Sequence, residues 1–244
     1  MRAFVSILFT LCLVTSSYAA PQTKSKSVQL NEQGVAALQA NDFAKAEKLL
    51  KQAIDVDSAN VTAIYNLAGA YVANKKEKAA IELLEKVVKN HKSDAGLFVR
   101  LGDAYFSNQD IKGARKSYEN AYQLDPKQPN LAIKLATIYS LTKNLPKAEE
   151  FFKAAIEQNP KDAQTLANYS SILLANNKPE EAIAAAKKSL QHEVSDQAYL
   201  TLGSAYEAMK NIDDALIAYE KAFALGNTDK DLKTKIEELK KHKS

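Results

Sequence analysis

The sequence predicts an all-α solenoid: six stacked helix-turn-helix units closed by a C-terminal capping helix. Three observations carry this. Alanine stands at positions 46, 80, 114, 148 and 182, each 34 residues after the last, and at Ala215 after 33. A fixed period of this size marks two-helix units, each too small to bury its own apolar face without its neighbours. Twelve residues before each alanine comes a small residue, Gly34, Ala68, Gly102, Ala136, Ser170 or Gly203. Around these anchors apolar residues fall at i, i+3, i+4 and i+7, one face of an amphipathic helix in each half.

Within a unit the elements follow in order. The first helix carries Gln33, Leu67, Leu101, Leu135, Tyr169 or Leu202 just before the small residue, and Ala37, Tyr71, Tyr105, Tyr139, Leu173 or Tyr206 three after it. The small residues belong where two helices cross closely, with Tyr and Leu filling the space beside them. The turn is rich in Asn, Asp and Lys: Asn41-Asp42, Asn74-Lys75, Asn108-Gln109, Asn144, Asn176-Asn177 and Asn211. These residue types favour turns and helix starts. The second helix carries Leu50, Leu84, Tyr118, Phe152, Ala186 and Tyr219 four beyond the alanine, then Ala53, Val87, Ala121, Ala155, Ser189 and Ala222. The acidic pairs Glu149-Glu150, Glu180-Glu181 and Asp213-Asp214 read as first-turn residues of second helices, favoured by the helix dipole. Pro126 and Pro160 close the third and fourth units.

The units so defined are 27–60, 61–94, 95–128, 129–162, 163–195 and 196–229. The fifth is one residue short and has Ala186 and Ser189 at two packing positions, so the seam between units five and six is expected to be the weakest. Residues 230–244 read as a capping helix, with Leu232, Ile236 and Leu239 on one face and Lys and Glu on the other.

Residues 1–19 read as a signal peptide: Met1-Arg2, an apolar run over residues 3–14, then Ser17-Tyr18-Ala19 at the expected cleavage point. The run falls short of the roughly 20 apolar residues that span a bilayer, though a retained anchor is the alternative. Cys12, the only cysteine, lies inside it behind Leu11, where a lipoprotein signal wants a small residue. A cleaved chain therefore has no cysteine and holds together by packing alone. Residues 20–26 read as a flexible lead, and the expected location is periplasmic or secreted, without membrane contact after cleavage.

The repeat resembles the tetratricopeptide repeat family. The third unit matches best, through Leu101-Gly102, Tyr105, Ala114, Tyr118, Ala121 and Pro126, although the consensus Trp is absent throughout. The resemblance implies a right-handed solenoid that acts as a protein-interaction scaffold, and envelope members of the family help to assemble multiprotein machines.

Composition narrows the chemistry. The leader carries only Arg2, which takes the net charge from +4 to +3 and leaves no nucleic-acid footprint. His91, His192 and His242 have no second His or Cys at i+3 or i+4, and neither a phosphate-binding glycine loop nor GxSxG is present. No enzyme activity, metal or other cofactor is expected. The sequons at Asn60 and Asn168 read as chance.

The resemblance also places a ligand groove on the first helices. The sixth residue of each unit should face it: Glu32, Asn66, Arg100, Lys134, Asn168 and Thr201, with Tyr65, Asp103, Thr137 and Phe106 on the same surface. Two cations flanked by amides suit a carboxylate or another oxygen-rich ligand. The alternative is that Arg100 and Lys134 are ordinary solvated side chains, with Asp103 neutralising Arg100 from one turn away. A subgroup of the family clamps terminal carboxylates of chaperone tails with five groove residues. Asn66 and Arg100 match two of them, while Asn31, Val35 and Gly96 depart from the other three. The expected partner is thus a protein segment, peptide or helix, of undefined identity. A carbohydrate or cell-wall module is the competing reading, with only Tyr65 and Phe106 placed to stack on a ring. A homo-oligomer, one copy's cap in another's groove, is a third.

Overall fold

In the computed structural model, which describes residues 25–243, each unit of sequence becomes two helices. The pairs are α1 Lys26–Gln39 with α2 Phe43–Val56, α3 Val61–Ala73 with α4 Glu77–Val88, and α5 Ala95–Ser107 with α6 Ile111–Leu124. Then come α7 Leu131–Leu141 with α8 Leu145–Gln158, α9 Ala163–Ala175 with α10 Pro179–His192, and α11 Asp196–Ala208 with α12 Ile212–Ala224. The helix α13, Lys230–Lys243, closes the array, and no strand occurs among the described residues. The signal peptide and nearly all of the lead fall outside those residues. Lys26, the last residue assigned to the lead, already belongs to α1.

The 34-residue period reaches into the backbone. Asn41, Lys75, Gln109, Lys143, Asn177 and Lys210 all take left-handed conformations, with φ between 57° and 62°. Each follows a first helix and lets the chain reverse. Asp42 N–H then bonds the Ala37 carbonyl at 2.9 Å while Asn41 N–H bonds that of Leu38 at 3.0 Å, a Schellman closure of the helix. The next residue caps the second helix. Asp42, Asp110, Asn144 and Asn211 accept a backbone N–H three residues on. Lys76 and Lys178 hold the same place and have no acceptor to offer.

The small residues mark close crossings. A Cβ added at Gly102 would lie 2.4 Å from the Tyr118 ring, one at Gly203 2.5 Å from Tyr219, and one at Gly34 2.6 Å from Leu50. The larger side chain of the second helix occupies the space that a Cβ would need. Leu131, Leu135, Ile138, Tyr139 and Phe152 belong to the largest buried apolar cluster among the described residues, around α7 and α8. At the C-terminal end Leu232, Ile236 and Leu239 cover Ala215, Leu216, Tyr219 and Ala222, so α13 shields the last apolar face.

Successive first helices touch: α1 meets α3, α3 meets α5 and α9 meets α11, while no two second helices make comparable contact. The first helices therefore form the inner layer of the curve and the second helices its outer layer.

One expectation is corrected. Glu149 and Glu150 lie beyond the first turn of α8. Glu149 is buried and holds two units together. It accepts from Lys153 at 2.8 Å, Asn176 at 2.8 Å and Lys178 at 2.8 and 3.0 Å. Burial acts to raise its pKa, and these hydrogen bonds outweigh burial and bring it down to about 2.

Candidate functional site

The inner wall is built from the sixth residue of each unit, and Asn66, Arg100, Lys134, Asn168 and Thr201 each make at least one contact with a neighbouring unit. Asn66 donates to the Asn31 carbonyl oxygen at 2.9 Å. Arg100 lays its guanidinium over the Tyr65 ring, 3.9 Å from the centroid, a distance suited to a cation–π contact. Lys134 bonds Asp103 at 2.6 Å, Asn168 accepts from Gln197 at 2.9 Å, and Thr201 meets Ser171 at 3.0 Å. The ladder is thus a set of seam contacts as well as a groove surface.

Asp103 departs from its place in the alternative reading. It pairs with Lys134 and also accepts from the Tyr118 hydroxyl at 2.7 Å. Arg100 has no ion pair among the described residues, and its Nε is buried without an acceptor. Lys134, on α7 of the following unit, takes the carboxylate in place of Arg100. Burial and the Asp103 carboxylate together push the Tyr118 hydroxyl far above its ordinary range, so it remains a donor.

Two hollows open along this wall. One, of about 320 Å³, brings Asp103, Phe106 and Lys134 together with Tyr118, Ile133 and Thr137. The next, of about 250 Å³, places Asn168 with Thr137, Leu141, Phe152 and Ser171. Tyr118 and Phe152 are 34 residues apart, as are Lys134 and Asn168, so these are one cleft seen in two successive units. Phe106 and Leu141 leave 40% and 58% of their surfaces exposed at the rims. Arg100 and Tyr65 lie one unit towards the N-terminus. Tyr118, Ile133, Leu141 and Phe152 were not legible as groove residues. Tyr118 and Phe152 belong to second helices and occupy packing positions, yet each also lines a cleft.

Models of the tetratricopeptide repeat match residues 37–102, 105–172 and 196–226, more than half of the chain. The chain is a tetratricopeptide repeat protein. The matched spans leave out residues 173–195, where Ala186 and Ser189 depart from the repeat. Among curated proteins none matches the sequence.

Solved structures share the fold of this tetratricopeptide repeat protein. PilF of Pseudomonas aeruginosa superposes with a TM-score of 0.73 at 16% identity, over 87% of this chain and 97% of its own. A tetratricopeptide repeat protein of Parabacteroides merdae gives 0.57 at 16%, over 87% and 84%. MamA gives 0.60 at 23%, over 69% and 92%. Tetratricopeptide arrays are protein-binding scaffolds, and the inner wall is the surface such an array offers to a partner. Among the described residues no group of side chains could hold a metal ion, and no helix is long and apolar enough to cross a membrane.

Proposed function

We propose that this protein is a non-enzymatic scaffold, exported to the periplasm or beyond, that captures an extended peptide or a helix of a partner protein in its concave groove. The observation that carries this reading is Arg100. Its cation lies over the Tyr65 ring and meets no carboxylate among the described residues, beside two apolar clefts. An arginine fixed in place loses little entropy on binding and can grip a carboxylate through two N–H donors. The partner segment brings an acidic group to Arg100 and apolar side chains to the clefts at Phe106 and Leu141. Such capture needs no cofactor. The apolar leader supports export, and assembly of an envelope complex is the role that follows from a scaffold placed there. A glycan is disfavoured because Arg100 already covers a face of Tyr65.

A pull-down from envelope extract tests this, with the wild-type protein beside the Arg100→Glu/Lys134→Glu double variant. A partner captured by the first and lost from the second is expected. A partner retained equally by both would move the site off the groove.

A further inference from the structure

We infer that the outer face carries a second docking site: a slot between α4 and α6 that takes an aromatic side chain of a partner polypeptide, flanked by carboxylates. The protein supplies its own template for the occupant. In the fourth unit Phe151 stacks on Tyr139, with centroids 5.5 Å apart and planes 4° from parallel, and meets Tyr122 edge-on at 5.1 Å. Lys147 closes the arrangement by donating to the Tyr139 hydroxyl at 3.2 Å.

One repeat earlier the setting recurs without the ring. Tyr105 stands for Tyr139 and donates its hydroxyl to Glu85, as Tyr139 does to Glu119. Gly113 and Ser117 stand where Lys147 and Phe151 follow 34 residues later. Ser117 turns its hydroxyl back to the Gly113 carbonyl at 2.9 Å, and Gly113 has no side chain to offer. The outcome is a hollow of about 300 Å³, walled by Val88, Phe98, Leu101 and Tyr105. An aromatic ring entering it would lie against Tyr105 as Phe151 lies against Tyr139, a contact worth more than its buried area alone.

The rim gives the charge of the flanking residues. Lys89 and Lys116 line the hollow, are exposed and have no ion pair among the described residues. The corresponding positions one unit on are Gln123 and Glu150, so the cationic rim accompanies the open slot and not the filled one. Glu85 is engaged by Tyr105. A segment with acidic residues beside Phe or Tyr is complementary in both shape and charge. The slot lies on the layer opposite the groove and stands whether or not the groove reading holds.

The test is titration of the purified protein with acetyl-Glu-Phe-Glu-amide and acetyl-Glu-Ala-Glu-amide, read by NMR at the Val88 and Leu101 methyl groups. Those methyls separate the slot from any binding at Arg100. Saturable shifts are expected with the Phe peptide, at least tenfold tighter than with the Ala peptide. Ser117→Phe, which rebuilds the filled unit, and Lys89→Glu/Lys116→Glu should each weaken binding at least fivefold. Equal shifts from both peptides overturn the proposal, as does unchanged binding to a Ser117→Phe protein with native circular dichroism. Should Ser117→Phe not fold, the charge-reversal pair decides, since both its residues are exposed, and unchanged binding there is equally fatal. Tighter saturation of the same methyls by decanoate or by a muropeptide would assign the slot to lipid or glycan instead.

Discussion

The Lys178 ammonium reaches 2.8 Å from the Glu149 carboxylate and so ties the start of α10 to the preceding unit. The same bracket occurs 102 residues earlier, where Lys76 reaches Glu47 at 2.7 Å with Lys51 beside it, as Lys153 stands beside Glu149. Lys76 and Lys178 are the cap positions that lack a side-chain acceptor. Two units have thus exchanged a local helix cap for a link across a seam. Both lysines stay 39–48% exposed, so solvent screening keeps each link modest, and what the exchange gains is a tie between units where a cap acts within one helix.

A pH dependence follows from this bracket. The Glu149 carboxyl lies at about 2 in the folded protein, below its ordinary 4.5. Its folded-state pKa is lowered, so the stabilisation is complete above the ordinary value and is lost as pH falls from 4.5 towards 2. Glu47 is lowered too, through its hydrogen bonds from Lys51 and Lys76, and adds in the same direction. Urea unfolding of the wild type should weaken across that interval, and Glu149→Gln should show a shallower slope there. At pH 7 the variant should lose about 1–3 kcal/mol. Parallel pH profiles for the two proteins would remove the bracket from the account.

Gly102 predicts a steric cost. Replacing glycine by alanine inside an exposed helix gains about 1 kcal/mol, but a Cβ here lies 2.4 Å from Tyr118, within a ring that cannot swing aside. Gly102→Ala should therefore destabilise by about 1–3 kcal/mol. At Gly69 the nearest atom to an added Cβ is an Arg100 nitrogen at 3.4 Å, an ordinary van der Waals contact. Gly69→Ala should leave stability unchanged or raised, so thermal melts of the two variants should move in opposite directions.

Architecture was legible because packing fixes it. Two helices can cross closely only where one of them is small, and that need wrote Gly34, Ala68 and Gly102 into the sequence at a fixed period. The pairing of charges was not legible. Asp103 is one turn from Arg100 along the helix, and helix periodicity alone would join them. Lys134 comes from the next unit and takes the carboxylate at 2.6 Å, which only the superhelical offset between units decides. Glu149 misled for the same reason: its partners Asn176 and Lys178 belong to the following unit. The floor of the groove was hidden because Tyr118 and Phe152 serve core and cleft together.

Freeing Lys134 should strengthen the groove. Asp103 neutralises it, and Asp103→Asn removes that charge while leaving an amide oxygen to accept from Tyr118. The groove would then present two uncompensated cations, at Arg100 and Lys134. Affinity for an acidic partner segment should rise several-fold and become more sensitive to salt. Arg100→Ala should lower it about ten- to a hundredfold. Calorimetry at two ionic strengths, with the partner recovered in the pull-down, reads both effects. Unchanged affinity in both variants would take electrostatics out of the recognition.

The seam between units five and six makes the last prediction. Ala186 is fully buried against Leu202 and Ala218, where other units place Leu, Tyr or Phe at the same position. Less apolar side-chain area is buried at this position than in the other units, so this interface is expected to open at lower cost than its neighbours. A hydrogen bond partly compensates within the fifth unit: the buried Ser189 hydroxyl donates to the Ala163 carbonyl at 2.8 Å, as Ser27 does to Ala53 in the first. That bond joins α10 to α9 and not to α11, so it strengthens the unit and leaves the seam as it was. Native-state hydrogen exchange should therefore show α11 and α12 opening together, ahead of α5 to α8, with α9 and α10 remaining protected. Because stability in such an array is roughly a sum of units and nearest-neighbour interfaces, the C-terminal units should leave as a block. Exchange in α11 as slow as in α7 would mean that Tyr199 and Tyr206, packed beside Ala186, already make up the missing area.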